Sequence, residues 1–171
     1  RKVKMAEDYN GLFRSRVARQ YDGSHLELPG YSGFRKLYGL QKNAIWRAIV
    51  GTGNTLLAHR VGFGKSPEMI CAGMELRRFQ MARKIAFVIP NDTCSDFALE
   101  FLKAYPNARL LVADEKNFSK ATRKMFLTQA ATGDWDAVVL PHTVFERIQL
   151  GKGWVKSFMS AMISQIEACI E

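Results

Sequence analysis

Gly62-Phe63-Gly64-Lys65-Ser66 is the stretch of this 171-residue sequence whose residue types and spacing carry the plainest chemistry. Two glycines one residue apart let the backbone curl until several N–H groups converge on one anion. A lysine directly after them supplies charge to the outer oxygens of a polyphosphate, and a serine hydroxyl can ligate the accompanying Mg2+. Val61, Gly62, Phe63, Gly64, Lys65 and Ser66 are therefore the candidate phosphate-binding residues, with Ser66 the candidate Mg2+ ligand. The strict spacing of such loops would require glycine where His59 stands. The plainer alternative is a glycine turn capping a helix, with Lys65 in solvent.

Such a loop works only between a strand and a helix, and the flanking pattern supplies both. Thr55-Leu56-Leu57-Ala58 is a short apolar run, with a strand expected at Leu56 to Ala58, and Met69, Ile70, Ala72, Met74 and Leu76 follow the loop at helical spacing. Upstream, Leu40, Ala44, Ile45, Ala48 and Ile49 predict a helix that stops at Gly51 to Asn54. Downstream, Ile85 to Ile89, Ala108 to Ala113 and Ala137 to Leu140 read as strands, the first and last closed by Pro90 and Pro141. Helices are expected at Asp92 to Ala104, Phe118 to Ala131 and Val155 to Ile170. Short strands that are apolar throughout, each separated by a helix, predict a mostly parallel sheet covered on both faces, an α/β fold of three layers. Residues 1–36 lack sustained periodicity and read as an irregular basic lead-in with one short helix around Gly11 to Gln20. Residues 37–171 form the α/β part.

The segment Leu57-Ala58-His59-Arg60-Val61-Gly62-Phe63-Gly64-Lys65-Ser66 resembles motif I of the superfamily 2 helicases, above all the Swi/Snf-like branch, where L-A-x-x-x-G-x-G-K-[T/S] needs no glycine at the His59 position. Leu37-Tyr38-Gly39-Leu40-Gln41 is similar to the L-x-x-x-Q of that branch, Phe87-Val88-Ile89-Pro90-Asn91 to motif Ia, and Trp135-Asp136-Ala137-Val138-Val139-Leu140-Pro141-His142 to the strand that precedes motif II. The resemblance runs from about Tyr9 to Ile148. It is strongest to the long helicase-methylase proteins of phages, plasmids and integrative elements. It implies a RecA-like phosphate-loop ATPase domain that binds ATP with Mg2+, Gln41 set against adenine, and DNA as partner. Turns facing the nucleic-acid backbone are implied at Asn91, Asp92 and Thr93 and at His142 and Thr143. An ordinary helix N-cap is the other reading of Asn91 to Thr93.

Hydrolysis in this class also requires an acidic strand end that holds Mg2+. Past Ile148 only Glu167 and Glu171 are acidic, and Asp134 and Asp136 precede their strand, so the sequence reads as the front part of the first motor domain, cut before motif II. The remainder of the motor is then an expected partner. The rivals are an interaction module whose loop binds no nucleotide and a small phosphate-loop kinase. A net charge of +9 favours a polyanionic partner, and Arg77, Arg78, Arg83, Lys84, Lys116, Lys120, Arg123 and Lys124 read first as solvated helix faces. Cys71, Cys94 and Cys169 lack zinc or disulfide spacing and read as small buried hydrophobes. Trp46, Trp135 and Trp154 read as packing residues, and His25 and His59 as structural or exposed. No apolar run approaches the ~18 residues of a membrane span, so the expected location is cytoplasmic.

Overall fold

Five consecutive apolar residues without alternation, Ala137-Val138-Val139-Leu140-Pro141, are satisfied only in the middle of a sheet covered on both faces. The computed structural model, which describes residues 2–13, 19–51, 53–113, 119, 122–148 and 151–168, puts them there with every residue buried. The elements are α1 (Lys2–Phe13), α2 (Gly39–Val50), α3 (Lys65–Arg78), β1 (Ile85–Ile89), α4 (Cys94–Ala104), β2 (Leu110–Val112), α5 (Arg123–Thr132), β3 (Ala137–Pro141), α6 (His142–Phe145) and α7 (Lys152–Ala168). A 3-10 turn at Asn91–Thr93 leads into α4.

The strand order is β1-β3-β2, all parallel, with Ile85 and Leu110 both opposite Ala137 and Ile89 opposite Pro141. The chain lays down one edge, crosses through α4 to the other, and returns through α5 to insert β3 between them. Alternate β3 side chains then serve two cores. Ala137 and Val139 join Ile45, Ile70, Phe87 and Phe101 under α2, α3 and α4, whereas Val138 and Leu140 join Phe126 and Val144 of α5 and α6. The expected three-layer, RecA-like α/β arrangement is present.

The larger core is organised by aromatic contacts. Phe87 lies 5.2 Å from Phe97 and 5.6 Å from Phe101, and Phe101 lies 6.2 Å from Tyr105, centroid to centroid. The segment before α2 is irregular but packs on this core: Leu26 and Leu28 are buried in it, the Lys42 ammonium donates to the Leu26 carbonyl at 2.8 Å, and the Ser32 N–H donates to the Ala104 carbonyl at 2.8 Å.

Several expectations are corrected. The early helix is Lys2–Phe13, and Arg19 and Gln20 are not helical; residues 14–18 lie outside the described residues. Leu56 to Ala58 is not a strand: residues 54–60 pair with none of the three strands, and Leu56 is 81% exposed. Apolar composition alone does not make a strand without a neighbour to complete its ladder. The expected helix from Phe118 begins at Arg123, with Phe118, Lys120 and Ala121 outside the described residues, as are Lys116 and Cys169.

Trp154 does not pack into a core but stacks on Phe158 at 5.2 Å on the exposed face of α7. Arg77, Arg78 and Lys84 are not a freely solvated face. Arg77 pairs with the buried Asp136, Arg78 clasps the buried Glu75 carboxylate at 2.7 Å, and Lys84 donates to the carbonyl of Ala130 at the end of α5 at 2.7 Å. Burying Glu75 and Asp136 among apolar residues demands such partners, since an unpaired buried charge is strongly destabilising.

Phe101 is fully buried and touches both neighbouring rings, so Phe101→Ala is expected to lower unfolding free energy by about 3–5 kcal/mol. Leu102→Ala, on the exposed side of the same helix, is expected to cost no more than about 0.5 kcal/mol. Urea unfolding followed by circular dichroism checks both values.

Candidate functional site

The loop is built from a turn and a helix start. The Phe63 N–H donates to the Arg60 carbonyl at 3.2 Å, closing a turn over Val61 and Gly62, and Gly62 and Gly64 have φ of 82° and 86°. Gly64 is the N-cap of α3 in left-handed backbone, so its N–H and those of Lys65 and Ser66 have no carbonyl one helical turn earlier to receive them. Pro67, next in the helix, has no N–H at all. The unmatched donors of α3 are thereby gathered at Gly64 to Ser66, where the helix dipole is positive.

Lys65 lies over the loop that precedes it. Its ammonium donates to the carbonyls of His59 at 2.9 Å and Arg60 at 3.0 Å. Two of three ammonium N–H groups are thus taken up among the described residues, and the third is the one that can meet an anion.

Gln41 reaches the same loop from α2. Its side-chain oxygen accepts from the Tyr38 N–H at 2.8 Å and its amide nitrogen donates to the Phe63 carbonyl at 2.8 Å. The side chain is buried, and a Cβ added to Gly64 would come within 2.8 Å of its amide nitrogen, so residue 64 must be glycine on two counts. The resemblance implied Gln41 against adenine; the structure makes it a strut of the loop. Contact with adenine, as the resemblance implies, would require the amide to exchange the Phe63 carbonyl for a base edge.

Behind the loop, the Glu68 carboxylate is fully buried and accepts from Nδ1 of His59, 3.0 Å from each oxygen. Burial raises the Glu68 pKa, and the adjacent His59 ring and Lys65 ammonium pull it back down. The His59 ring also lies 4.6 Å from that of Phe63. Sequence reasoning gave His59 a structural or exposed place, and the structural one is found, but it did not single out Glu68 as the partner. A signal did exist in Glu68 and Glu75, seven residues apart and so on the same face of α3 as Cys71 and Ala72, which pointed to buried carboxylates in need of partners.

In front of the loop is a groove of about 700 Å³ between Val61, Gly62, Gly64, Lys65 and Ser66 on one side and Asp96, Leu99, Glu100 and Lys103 of α4 on the other. Arg35 lines it and pairs with Glu100 at 3.2 Å.

The 3-10 turn after β1 and the start of α6 after β3 come together because those strands are parallel neighbours, and His142 and Thr143 stand in that helix and not in the expected turn. The Thr143 hydroxyl donates to the Asn91 side-chain oxygen at 3.3 Å, and Asn91, Thr93, His142 and Thr143 are all exposed. The helix-cap reading of Asn91 to Thr93 holds in position, since Thr93 is the N-cap of α4, but not in bonding: its hydroxyl donates back to the Pro90 carbonyl at 3.2 Å instead of accepting from the helix.

Asp134 and Asp136 sit before β3, at the opposite end from these residues. Arg109 and Arg77 bind Asp134, and its hydrogen bond from Arg109 holds its carboxyl below the usual range. Asp136 also accepts from the Arg109 N–H at 2.7 Å. Both carboxylates are spent in joining α3 to the strands.

A family model described as a probable helicase domain matches residues 46–171, which include the loop, the sheet, the turn after β1 and the start of α6. The chain belongs to this helicase domain family. A solved structure of the SWI2/SNF2 ATPase core of Sulfolobus solfataricus in complex with dsDNA shares the fold, with a TM-score of 0.55 and 20% identity over 72% of this chain and 24% of that one. The chain thus spans about a quarter of the length of that structure. No match was found among curated proteins. Among the described residues no helix is long and apolar enough to cross a membrane, and no group of three or more His, Cys, Asp or Glu side chains is placed to hold a metal.

If Gln41 is a strut, Gln41→Ala leaves the Tyr38 N–H and the Phe63 carbonyl without their partner, at an expected cost of about 1–3 kcal/mol. Hydrogen exchange should speed up selectively at the Phe63 amide, whose bond to the Arg60 carbonyl closes the turn. Unchanged exchange there would show that the loop holds its shape without the glutamine.

Proposed function

We propose that this chain is the ATP-binding part of a DNA-directed helicase or translocase of the superfamily 2 type, akin to the helicase-methylases of mobile elements. The observation that carries this reading is the conjunction at the head of α3: unmatched N–H groups at Gly64 to Ser66, two left-handed glycines, and an ammonium held across the loop mouth beside an open groove. Converging N–H donors and a helix N-terminus form a site for the β- and γ-phosphates, with Lys65 nearest the outermost charge.

The donor set fits Mg2+ carried in with the nucleotide. Ser66 would contribute its hydroxyl, and phosphate oxygens and water the remaining positions, the usual arrangement for an ion that sheds water reluctantly. When bound, Mg2+ supplies neutralisation of the phosphate charge. Gln41 couples the loop to α2, and in this reading its amide exchanges the Phe63 carbonyl for the adenine edge when nucleotide binds. Val61 and Phe63 shape the turn.

Asn91, Thr93, His142 and Thr143 would position the DNA backbone through short polar groups, without reading bases. The reading draws support from the dsDNA bound to the SWI2/SNF2 core of similar fold, and from the juxtaposition of Asn91 with Thr143. Completion of the hydrolytic machinery falls to the remainder of the motor, whose charge-stabilising arginine is worth about 10³ to 10⁵ in rate in related chemistry.

Lys65→Ala is expected to remove most affinity for Mg-ATP while leaving the melting temperature within a few degrees of the parent, because its ammonium lies on the loop surface and not in a core. Isothermal calorimetry is the measurement, and equal binding by variant and parent would end the phosphate-loop assignment.

Binding to duplex DNA is expected to be weakly sequence-dependent and to fall by about 10³-fold or more between 50 and 200 mM salt if six or more phosphates are neutralised. Fluorescence anisotropy across a salt series checks the slope. A tight complex insensitive to salt would contradict backbone positioning.

A further inference from the structure

We propose that His59 and Glu68 are positioning residues of the phosphate loop, a pair that fixes the carbonyl on which the Lys65 ammonium rests. The inference deepens the nucleotide-binding reading and rests on it. Lys65 is held by two main-chain carbonyls, His59 and Arg60, and both belong to residues 54–60, which pair with no strand. A segment without a ladder needs another anchor if its carbonyls are to stay in place. The His59 side chain supplies it, with Nδ1–H shared between both oxygens of a carboxylate that is itself fully buried in α3.

The connection closes a ring. From Lys65 the covalent path runs along one turn of α3 to Glu68, across the hydrogen bond to the His59 ring, and through the His59 backbone to the carbonyl that receives Lys65. Each member holds the next, so the loop entry and the loop exit are fixed relative to each other. The His59 ring also lies against Phe63, whose carbonyl is the acceptor for Gln41, and so the ring joins the strut from α2. The His59 ring is the hydrogen-bonding partner of the buried Glu68 carboxylate, and the Lys65 ammonium adds a favourable charge at longer range.

A positioning role makes specific demands on binding. Loss of the His59 ring should impair the cradle for phosphate and not the recognition of a base, so Mg-ATP and Mg-tripolyphosphate should lose affinity by the same factor. Glu68 acts through His59, so removing both should do no more than removing one. A residue that only supports the fold would lower the melting temperature and leave affinity well below melting untouched.

The test is calorimetry of the full 171-residue chain and its variants with both ligands, alongside thermal melting. His59→Ala and Glu68→Ala are each expected to weaken both ligands about tenfold, equivalent to about 1.4 kcal/mol. The double variant should stay within about twofold of either single one. Glu68→Gln keeps an acceptor for Nδ1–H and should recover to within about threefold of the parent. Should Glu68→Ala fail to fold, His59→Ala and Glu68→Gln still decide the matter.

Parental affinity in His59→Ala, or a double variant whose loss equals the product of the singles, would overturn the pair while Lys65→Ala still loses binding. Undiminished binding in Lys65→Ala would instead remove the nucleotide reading and this inference with it, a pattern distinct from the first.

Discussion

Helix α3 lies so close to strand β1 that a Cβ on residue 73 would approach the Phe87 ring to 2.8 Å and the Ile85 side chain to 3.1 Å. Only glycine allows this contact. The helix is seated against the sheet there and nailed down at both ends: Gln41 holds the loop at its start, and the Arg77–Asp136 pair ties its last turn to the beginning of β3. The direction of its dipole, the placement of its unmatched N–H groups and the approach of Lys65 all follow from that seating. Glycine in a helix interior costs about 1 kcal/mol relative to alanine, which the close packing on Phe87 must offset.

Charge is divided between the two ends of the strands. At the end where β2 and β3 begin, Asp134, Asp136, Arg77 and Arg109 neutralise one another and link three elements. At the other end, the turn after β1 and the first residues of α6 leave Asn91, His142 and Thr143 exposed. Polar groups that build the fold and polar groups accessible to a ligand therefore occupy different ends of the same sheet. Part of the basic character visible in composition is structural: Arg77, Arg78 and Lys84 each have an acidic or carbonyl partner.

Where the sequence was legible, a single physical rule operated without competition. Ile85 to Ile89 and Ala137 to Leu140 are apolar on both faces and both became strands, the central β3 buried throughout and the edge strand β1 buried at Phe87 and Ile89 with Ala86 left exposed. Leu56 and Leu57 carry the same local signal, but whether a run becomes a strand depends on a partner distant in the chain. Glycine and lysine spacing disclosed the loop because its backbone chemistry is local. The Glu68–His59 pair and the Gln41 strut were less visible, since each links residues 9 to 22 positions apart across an intervening turn or helix. The basic residues misled for a related reason, since a salt bridge over 59 positions, as between Arg77 and Asp136, has no short-range signature.

The central claim is that a polyphosphate is received by the backbone at the head of α3. Amide chemical shifts of the uniformly nitrogen-15-labelled chain, followed during titration with Mg-ATP, test it most directly. The account predicts saturable shifts that are largest at Gly62, Gly64, Lys65 and Ser66 and fade toward β2 and α5. Saturable shifts centred elsewhere, with the amides of these four residues unmoved, would contradict it.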